Sequence, residues 1–297
     1  MNKVNYQKIL DGIISNLQKT NTVPTLLLHV CCAPCSSYCL EYLSQYFKIT
    51  VFFYNPNISE RAEYQHRLNE EKRFISEMNF KYPVNIIEGE YSPLEYFSAV
   101  KGLENEPEGG ERCKKCFELR LEKTARIARK MNFDYFTTTL TISPLKNAPL
   151  LNQIGERFAD VYDVKWLNSD FKKKEGYKRS IVLSAEHNLY RQNYCGCVFS
   201  KREAAEMEND LRRGEGHRTA DIERGIQSMF LNIRSRFLAL PAKLSPTLST
   251  MGGDQTGIFD ELKGAIEEIL EEMSDYRVAF AAEDGEDDGE AEKETPM

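Results

Sequence analysis

The chain has 297 residues, 41% of them hydrophobic and 29% charged, with eight cysteines and a formal net charge of −7. No apolar run reaches the roughly 18 residues a membrane span requires, and the polar, amphipathic first twenty residues lack the form of a secretory leader. Membrane and secreted classes are therefore set aside, a cytoplasmic protein is expected, and the cysteines point to metal or redox chemistry rather than structural disulfides. Charge is uneven along the chain: residues 1–205 carry a net +5 and every cysteine, and residues 206–297 carry −12. A mild basic excess in the first part permits contact with nucleic acid.

Taken in order, Ile9, Ile13, Ile14 and Leu17 mark an amphipathic first helix. Residues 25–30 form a short apolar run behind Pro24 and predict a buried strand. It leads into Cys31-Cys32-Ala33-Pro34-Cys35-Ser36-Ser37-Tyr38-Cys39, and a helix is expected over 36–47. The cysteines thus fall between the carboxyl end of a strand and the amino end of a helix, where open α/β sheets place ligands and the helix dipole favours thiolate. Residues 49–54 predict a second strand ended by Asn55-Pro56-Asn57, and Ser59 is expected to cap a helix to about 78, with Glu63 and Arg67 one turn apart.

A third strand is expected at 84–87, a short helix at 92–101, an acidic Gly-rich loop at 102–111, and a helix opening on Cys113-Lys114-Lys115-Cys116 and running to about 130. A fourth strand at 134–138 leads into the hydroxyl-rich turn Thr139-Leu140-Thr141-Ile142-Ser143, then Lys146, Asn147 and a helix to about 159. A fifth strand is expected at 161–166, a basic loop at 172–179, and then Tyr194-Cys195-Gly196-Cys197 with helix resuming near 200. This alternation predicts a doubly wound, mostly parallel Rossmann-like sheet whose strand-end loops converge on one edge. The domains expected are 1–205 for this catalytic unit, 206–282 for an all-α extension, and 283–297 for a disordered acidic tail. Within the extension, helices are expected at 219–240 and 258–276, joined by a Pro/Ser/Thr/Gly-rich link at 241–257.

Cys31, Cys32, Cys113 and Cys116 supply four thiols from two loops, which suits an Fe–S cluster or a four-cysteine zinc site and leaves unliganded thiols as the plain alternative. Cys35 is either a further ligand or a small residue at a helix start. Cys195 and Cys197, with glycine between them, either bind metal or cycle between dithiol and disulfide. Cys39 and His29 read as core residues, and His66 and His187 as surface ones. The basic 172–179 loop, with Phe171 and Tyr177, is either a solvated loop or a grip for phosphates.

Four motifs in this order carry a family resemblance: His29-Val30-Cys31-Cys32-Ala33-Pro34-Cys35-Ser36, Tyr54-Asn55-Pro56-Asn57, Cys113-x-x-Cys116 and Tyr194-Cys195-Gly196-Cys197. Over about residues 20–205 the chain resembles the QueH family of epoxyqueuosine reductases. The resemblance implies a nucleotide α-hydrolase-like fold and the last step of queuosine synthesis, in which an epoxide on the modified wobble guanosine of tRNA is reduced to the alkene with loss of water. It implies a 4Fe-4S cluster on Cys31, Cys32, Cys113 and Cys116, an adjacent mononuclear iron with a ligand from Cys35, no cobalamin, and a redox-active Cys195–Cys197 pair. The partners it implies are tRNA bearing epoxyqueuosine in the anticodon loop and an external electron donor.

Reductive opening of an epoxide needs two electrons, a Lewis acid for the oxygen and a proton source, and a metal–thiolate centre suits the first two. Tyr54, Asn55, Asn57, Thr139, Ser143 and Lys146 at the strand ends are expected to bind the ribose or the cyclopentene diol, with Tyr54 and a metal-bound water the candidate proton donors. Residues 211–272 faintly resemble the carboxyl-terminal helices of phage small terminases, which implies a module for self-association or docking. Two rival readings remain at this point. One is a zinc-binding RNA or assembly module. The other, an ATP-dependent PP-loop tRNA-modifying enzyme, lacks its glycine-rich phosphate loop here, because that place is taken by Cys31-Cys32-Ala33-Pro34.

Overall fold

The computed structural model describes residues 4–212 and 219–274, and its contacts divide the chain into two compact units that part after Glu206. The first is built on five parallel strands: β1 (Thr25–Val30), β2 (Lys48–Phe53), β3 (Asn85–Glu88), β4 (Tyr135–Thr138) and β5 (Lys165–Trp166), in the order β3-β2-β1-β4-β5. All four pairings are parallel, which gives the α/β fold that the alternation of strand and helix predicts. The helices of this unit are α1 (Tyr6–Thr20), α2 (Ala33–Leu43), α3 (Arg61–Glu77), α4 (Pro93–Ala99), α5 (Glu111–Lys130), α6 (Ala148–Tyr162), α7 (Gly176–Glu186) and the part of α8 (Val198–Arg212) up to Glu206.

Two apolar cores lie against the sheet. One joins α1, α2 and α3 through Leu10, Leu40, Leu43, Leu68 and Phe74 to Leu26, Leu28, Val51 and Phe53. The other sets Leu121, Ala125, Leu151 and Phe158 of α5 and α6 against Leu27, Phe52, Phe136 and Trp166. Alternate strand residues thus feed opposite layers, as a strand covered on both faces requires. Sequence order runs outward from β1 to β3 on one side and resumes at β4 on the other. The sheet's topological switch point therefore lies between β1 and β4, and ligands of such sheets bind beyond the strand ends there.

Several boundaries differ from the expectation. Helix α2 begins at Ala33 rather than 36, because Cys32 caps it and Pro34 sits in its first turn, where a missing N–H costs nothing. Ser59 does not cap α3; its hydroxyl reaches Asn57 O and accepts from Val198 N, and Glu60 holds the cap position. Strand β5 shrinks to two residues because α6 runs on to Tyr162 and ends on a left-handed Asp163.

In the second unit α9 (Thr219–Thr250) passes straight through Pro241 and Pro246, where a link was expected, and α10 (Gln255–Ser274) packs on it. The break falls instead at Gly252 and Gly253, both at positive φ, a backbone setting that glycine takes without strain. The 283–297 tail lies outside the described residues. Among the described residues no helix is long and apolar enough to cross a membrane.

Candidate metal centre

The switch point is where the thiols gather. Cys31 directly follows β1, and its Sγ lies 3.7 Å from that of Cys32 and 4.0 Å from Thr139 Oγ1, just past the end of β4. The Sγ atoms of Cys31, Cys32 and Cys35 all lie within 4.8 Å of one another, close enough to share a metal ion. Thiol contacts from Cys32 and Cys35, backed by Arg120 and Lys146, pull the Cys31 thiol well below its ordinary range. The same contacts push Cys32 up to about 12 and Cys35 upward too. Of the three, Cys31 is the one whose surroundings favour the thiolate.

These thiols line a cavity of about 170 Å³ together with Ser143, Lys146, Tyr177, Arg191, Tyr194 and Cys195. A smaller adjoining cavity of about 70 Å³ holds Cys113, Cys116 and Cys197, and shares Glu108, Leu145, Lys146 and Cys195 with the first. Seven of the eight cysteines thus face two adjoining spaces. The eighth, Cys39, is buried with its thiol on Cys35 O. Gly109 N donates to Cys113 Sγ, and burial pushes Cys116 up to about 12. Cys116, Cys197 and Tyr96 form one buried cluster, so the C-x-x-C and C-x-C motifs meet although 79 residues separate their nearest cysteines.

The C-x-C turn is clasped by the β2–α3 loop. Gly196 has a φ of +125°, and an added Cβ would come 2.9 Å from Ile58 Cγ1, so the position has room only for glycine. Ser59 N donates to Gly196 O, and Arg67 Nη1 donates to Cys195 O at 3.1 Å. Arg67 is only 1% exposed and pairs with Glu63 at 2.6 Å, the one-turn neighbour the sequence shows. Farther along, Arg112 ties α5 to Glu203 of α8 at 2.6 Å.

Of the residues expected to meet substrate, Ser143 and Lys146 line the larger cavity and Asn57 the smaller, and the buried Asn57 Oδ1 has no partner among the described residues. Thr139 is buried beside Cys31. Asn55 is committed within the fold: its Nδ2 donates to Val30 O, and its Oδ1 accepts from Arg120 Nη2 at 2.6 Å. Tyr54 lines neither cavity; its ring stacks on Phe52, and its hydroxyl donates to Glu95 of α4. The basic loop is largely tied up in ion pairs, Lys172 with Asp170, Lys174 with Asp11, Lys178 with Glu175 and Arg179 with Glu41. The cations that line the larger cavity are Lys146 and Arg191 instead.

His29 is a core residue with a definite job. Burial, reinforced by the Arg120 charge, lowers it to about 3 and keeps the ring neutral. His29 Nε2 lies 3.2 Å from Arg120 Nε and 3.1 Å from Tyr54 O, and its Nδ1 lies 2.8 Å from Thr138 Oγ1, so both ring nitrogens are engaged within the fold. Arg120 and Glu71 went unremarked in the sequence. Glu71 is fully buried on α3, accepts from Ser36 Oγ at 2.8 Å, and is pushed up to about 8 by burial. Arg120 was findable, because it falls one turn after Cys116 and two after Cys113 on one helix face. No spacing rule would have flagged Glu71.

The donor set fits a thiophilic metal: soft sulfur ligands select zinc, copper(I) or iron–sulfur centres. Cations gather around the thiols: Arg67, Arg120 and Lys146 are all raised above their ordinary values against the opposing effect of burial, by the neighbouring thiols and, for Arg67 and Lys146, by Glu63 and Glu108 as well. An anionic metal–thiolate assembly matches that lining.

Fold and site together define a Rossmann-like α/β protein with a cysteine-lined centre at its switch point. The model of the family described as epoxyqueuosine reductase QueH matches residues 26–203. An epoxyqueuosine reductase QueH of Streptococcus pyogenes is 47% identical over 202 residues, 67% of this chain and 79% of that protein. Its counterpart in Staphylococcus epidermidis is 46% identical over 202 residues, covering 67% and 85%. That of Thermotoga maritima is 39% identical over 199 residues, covering 65% and 98%. The chain belongs to the QueH family of epoxyqueuosine reductases.

Proposed function

We propose that this protein reduces epoxyqueuosine to queuosine at the wobble position of tRNA, removing the epoxide oxygen as water in the last step of queuosine synthesis. The observation that carries the reading is the meeting of Cys31, Cys32 and Cys35 with Cys113, Cys116, Cys195 and Cys197 around two adjoining cavities at the sheet's switch point. In this reading Cys31, Cys32, Cys113 and Cys116 hold a 4Fe-4S cluster, Cys35 contributes to a neighbouring iron, and Cys195 and Cys197 are a redox-active pair. Such a centre, when bound, supplies electrons and a Lewis acid to the epoxide.

The chain's own residues do the rest. Lys146 and Arg191 bring positive charge to the larger cavity and suit the phosphates flanking an unstacked nucleotide. Tyr177 and Tyr194 offer aromatic surface to a base that has left the anticodon stack, an extrusion that costs little in a single-stranded loop. Ser143 and the unpartnered Asn57 Oδ1 can hydrogen-bond hydroxyls of the ribose or the cyclopentane ring. Lys146, raised by the surrounding thiols against the effect of burial, would offer an N–H donor to the oxygen that leaves the epoxide.

The helical unit exposes Phe230, Leu238, Phe259 and Leu262, which supports reading it as a self-association module. The test is anaerobic purification with iron–sulfur reconstitution, metal analysis, a visible spectrum before and after dithionite, and an assay on epoxyqueuosine tRNA. Four or more irons per chain, a bleachable band at about 400 nm from the thiolate-bound cluster and conversion to queuosine are expected. One zinc, no bleaching and no conversion would replace the reductase with a zinc-binding module.

A further inference from the structure

Arg120 holds a buried charge against Cys116, and among the described residues no acid pairs with it. It is fully buried, and its nitrogens meet His29 Nε2 at 3.2 Å, Asn55 Oδ1 at 2.6 Å and Cys116 Sγ at 3.9 Å. Two of these partners are neutral and the third is a thiol. Among the described residues no carboxylate pairs with it, whereas Arg67 has Glu63 and Arg112 has Glu203. Desolvating a guanidinium without an opposite charge is strongly unfavourable, so a buried arginine of this kind calls for an anion close by. Its placement says which anion. Through Cys116 it touches α5, through His29 it touches β1 two residues before Cys31, and through Asn55 it touches the end of β2. The guanidinium sits behind the elements that carry both halves of the cysteine set.

We propose that Arg120 is the built-in counter-cation of the metal–thiolate centre and sets its reduction potential. This rests on the iron–sulfur reading of the site given above. Adding one electron from a reductant makes the centre one unit more negative, and a fixed positive charge in a water-poor interior favours the more negative state. Arg120 is a positioning residue, acting on the centre and not on substrate. His29 and Asn55 are its holders, one kept neutral and the other amide, so neither cancels the charge.

The test is a mediated redox titration of the reconstituted full-length protein, followed by visible absorption and electron paramagnetic resonance, with iron counted in every sample. Arg120→Gln is expected to lower the midpoint by at least a tenfold change in the reduction equilibrium, about 59 mV for one electron. Arg120→Lys, which keeps the charge, is expected to recover at least half of that shift. A purely structural role for Arg120 would alter iron content or unfolding and leave the midpoint of the loaded fraction unmoved; that result overturns the proposal. Should the glutamine variant fail to fold or to take up iron, Asn55→Asp carries the test. It leaves Arg120 in place, sets a carboxylate against it, and is expected to lower the midpoint in the same direction; an unchanged midpoint there overturns the proposal as well. If the wild-type protein itself yields no reducible iron centre, the functional reading fails first, and the two failures are distinguishable.

Discussion

Glu71 gives the catalytic unit a pH-dependent stability that one substitution should remove. The carboxyl is 0% exposed and, among the described residues, accepts a single hydrogen bond, from Ser36, and leaves Oε1 without a partner. Burial raises it from 4.5 to about 8, so the folded protein keeps this proton across a range where the unfolded chain has released it. Because the native state binds the extra proton, stability falls as pH rises above the unfolded value, and the loss is complete once pH passes the folded one. At 1.36 kcal/mol per pH unit, the burden at pH 7 is on the order of 3 kcal/mol and vanishes near pH 4.

Glu71→Gln keeps an acceptor for Ser36 and abolishes the titration. Relative to wild type it is expected to be within about 1 kcal/mol at pH 5 and to gain about 4 kcal/mol by pH 8, which for a unit of this size is roughly 8–16 °C in midpoint. Trp166 is the chain's single tryptophan and lies buried in the sheet's second core, so its fluorescence reports unfolding of this unit alone. Thermal unfolding of both proteins between pH 5 and 8.5 provides the measurement. Parallel midpoint curves would show that Glu71 is ionised in the fold and that its burial is compensated by something other than a proton.

The remaining expectations concern the site's edges. Tyr54→Phe should cost about 1–2 kcal/mol in Trp166-monitored unfolding, because the hydroxyl's partner is Glu95, and should leave turnover of epoxyqueuosine tRNA intact; a hundredfold loss of turnover would return Tyr54 to the reaction. Gly196→Ala should abolish turnover while shifting unfolding by no more than about 1–3 kcal/mol, since the strain and the contact with Ile58 are confined to the C-x-C turn; an active variant would show that the turn's geometry is dispensable. Cys39→Ala should leave iron per chain unchanged and lower stability by about 1 kcal/mol, and a fall in iron content would make Cys39 a ligand.

The layout of the sheet was legible because buried parallel strands announce themselves as apolar runs, and because each is followed by a turn and a helix. The thiol site was legible for a related reason: Cys31 and Cys195 occupy loops and Cys113 the first turn of α5, and proximity in a doubly wound sheet follows from topology. What stayed hidden depends on side-chain direction. Tyr54 and Asn55 both sit at the end of β2, yet one turns into the core toward Glu95 and the other onto Arg120. Spacing alone does not tell which face a residue takes once the strand has ended. Glu71 resembles any charged residue of a polar helix until the packing of α2 on α3 closes over it. The helical run through Pro241 and Pro246 shows the same limit, because proline weakens a helix by an amount that neighbouring turns can offset.

The clasp on the C-x-C turn ties the last of the cysteine motifs to the rest of the site. Its ties run from Ser59 to Gly196 and Val198, from Arg67 to Cys195, and from Arg112 to Glu203, joining chain segments about a hundred residues apart or more. Of the seven thiols that line the two cavities, five belong to the segment after β1 and to α5, and the other two arrive with the 195–197 turn. A substitution at Ser59 or Arg67 therefore bears on where Cys195 and Cys197 sit against the other five thiols without changing a cysteine.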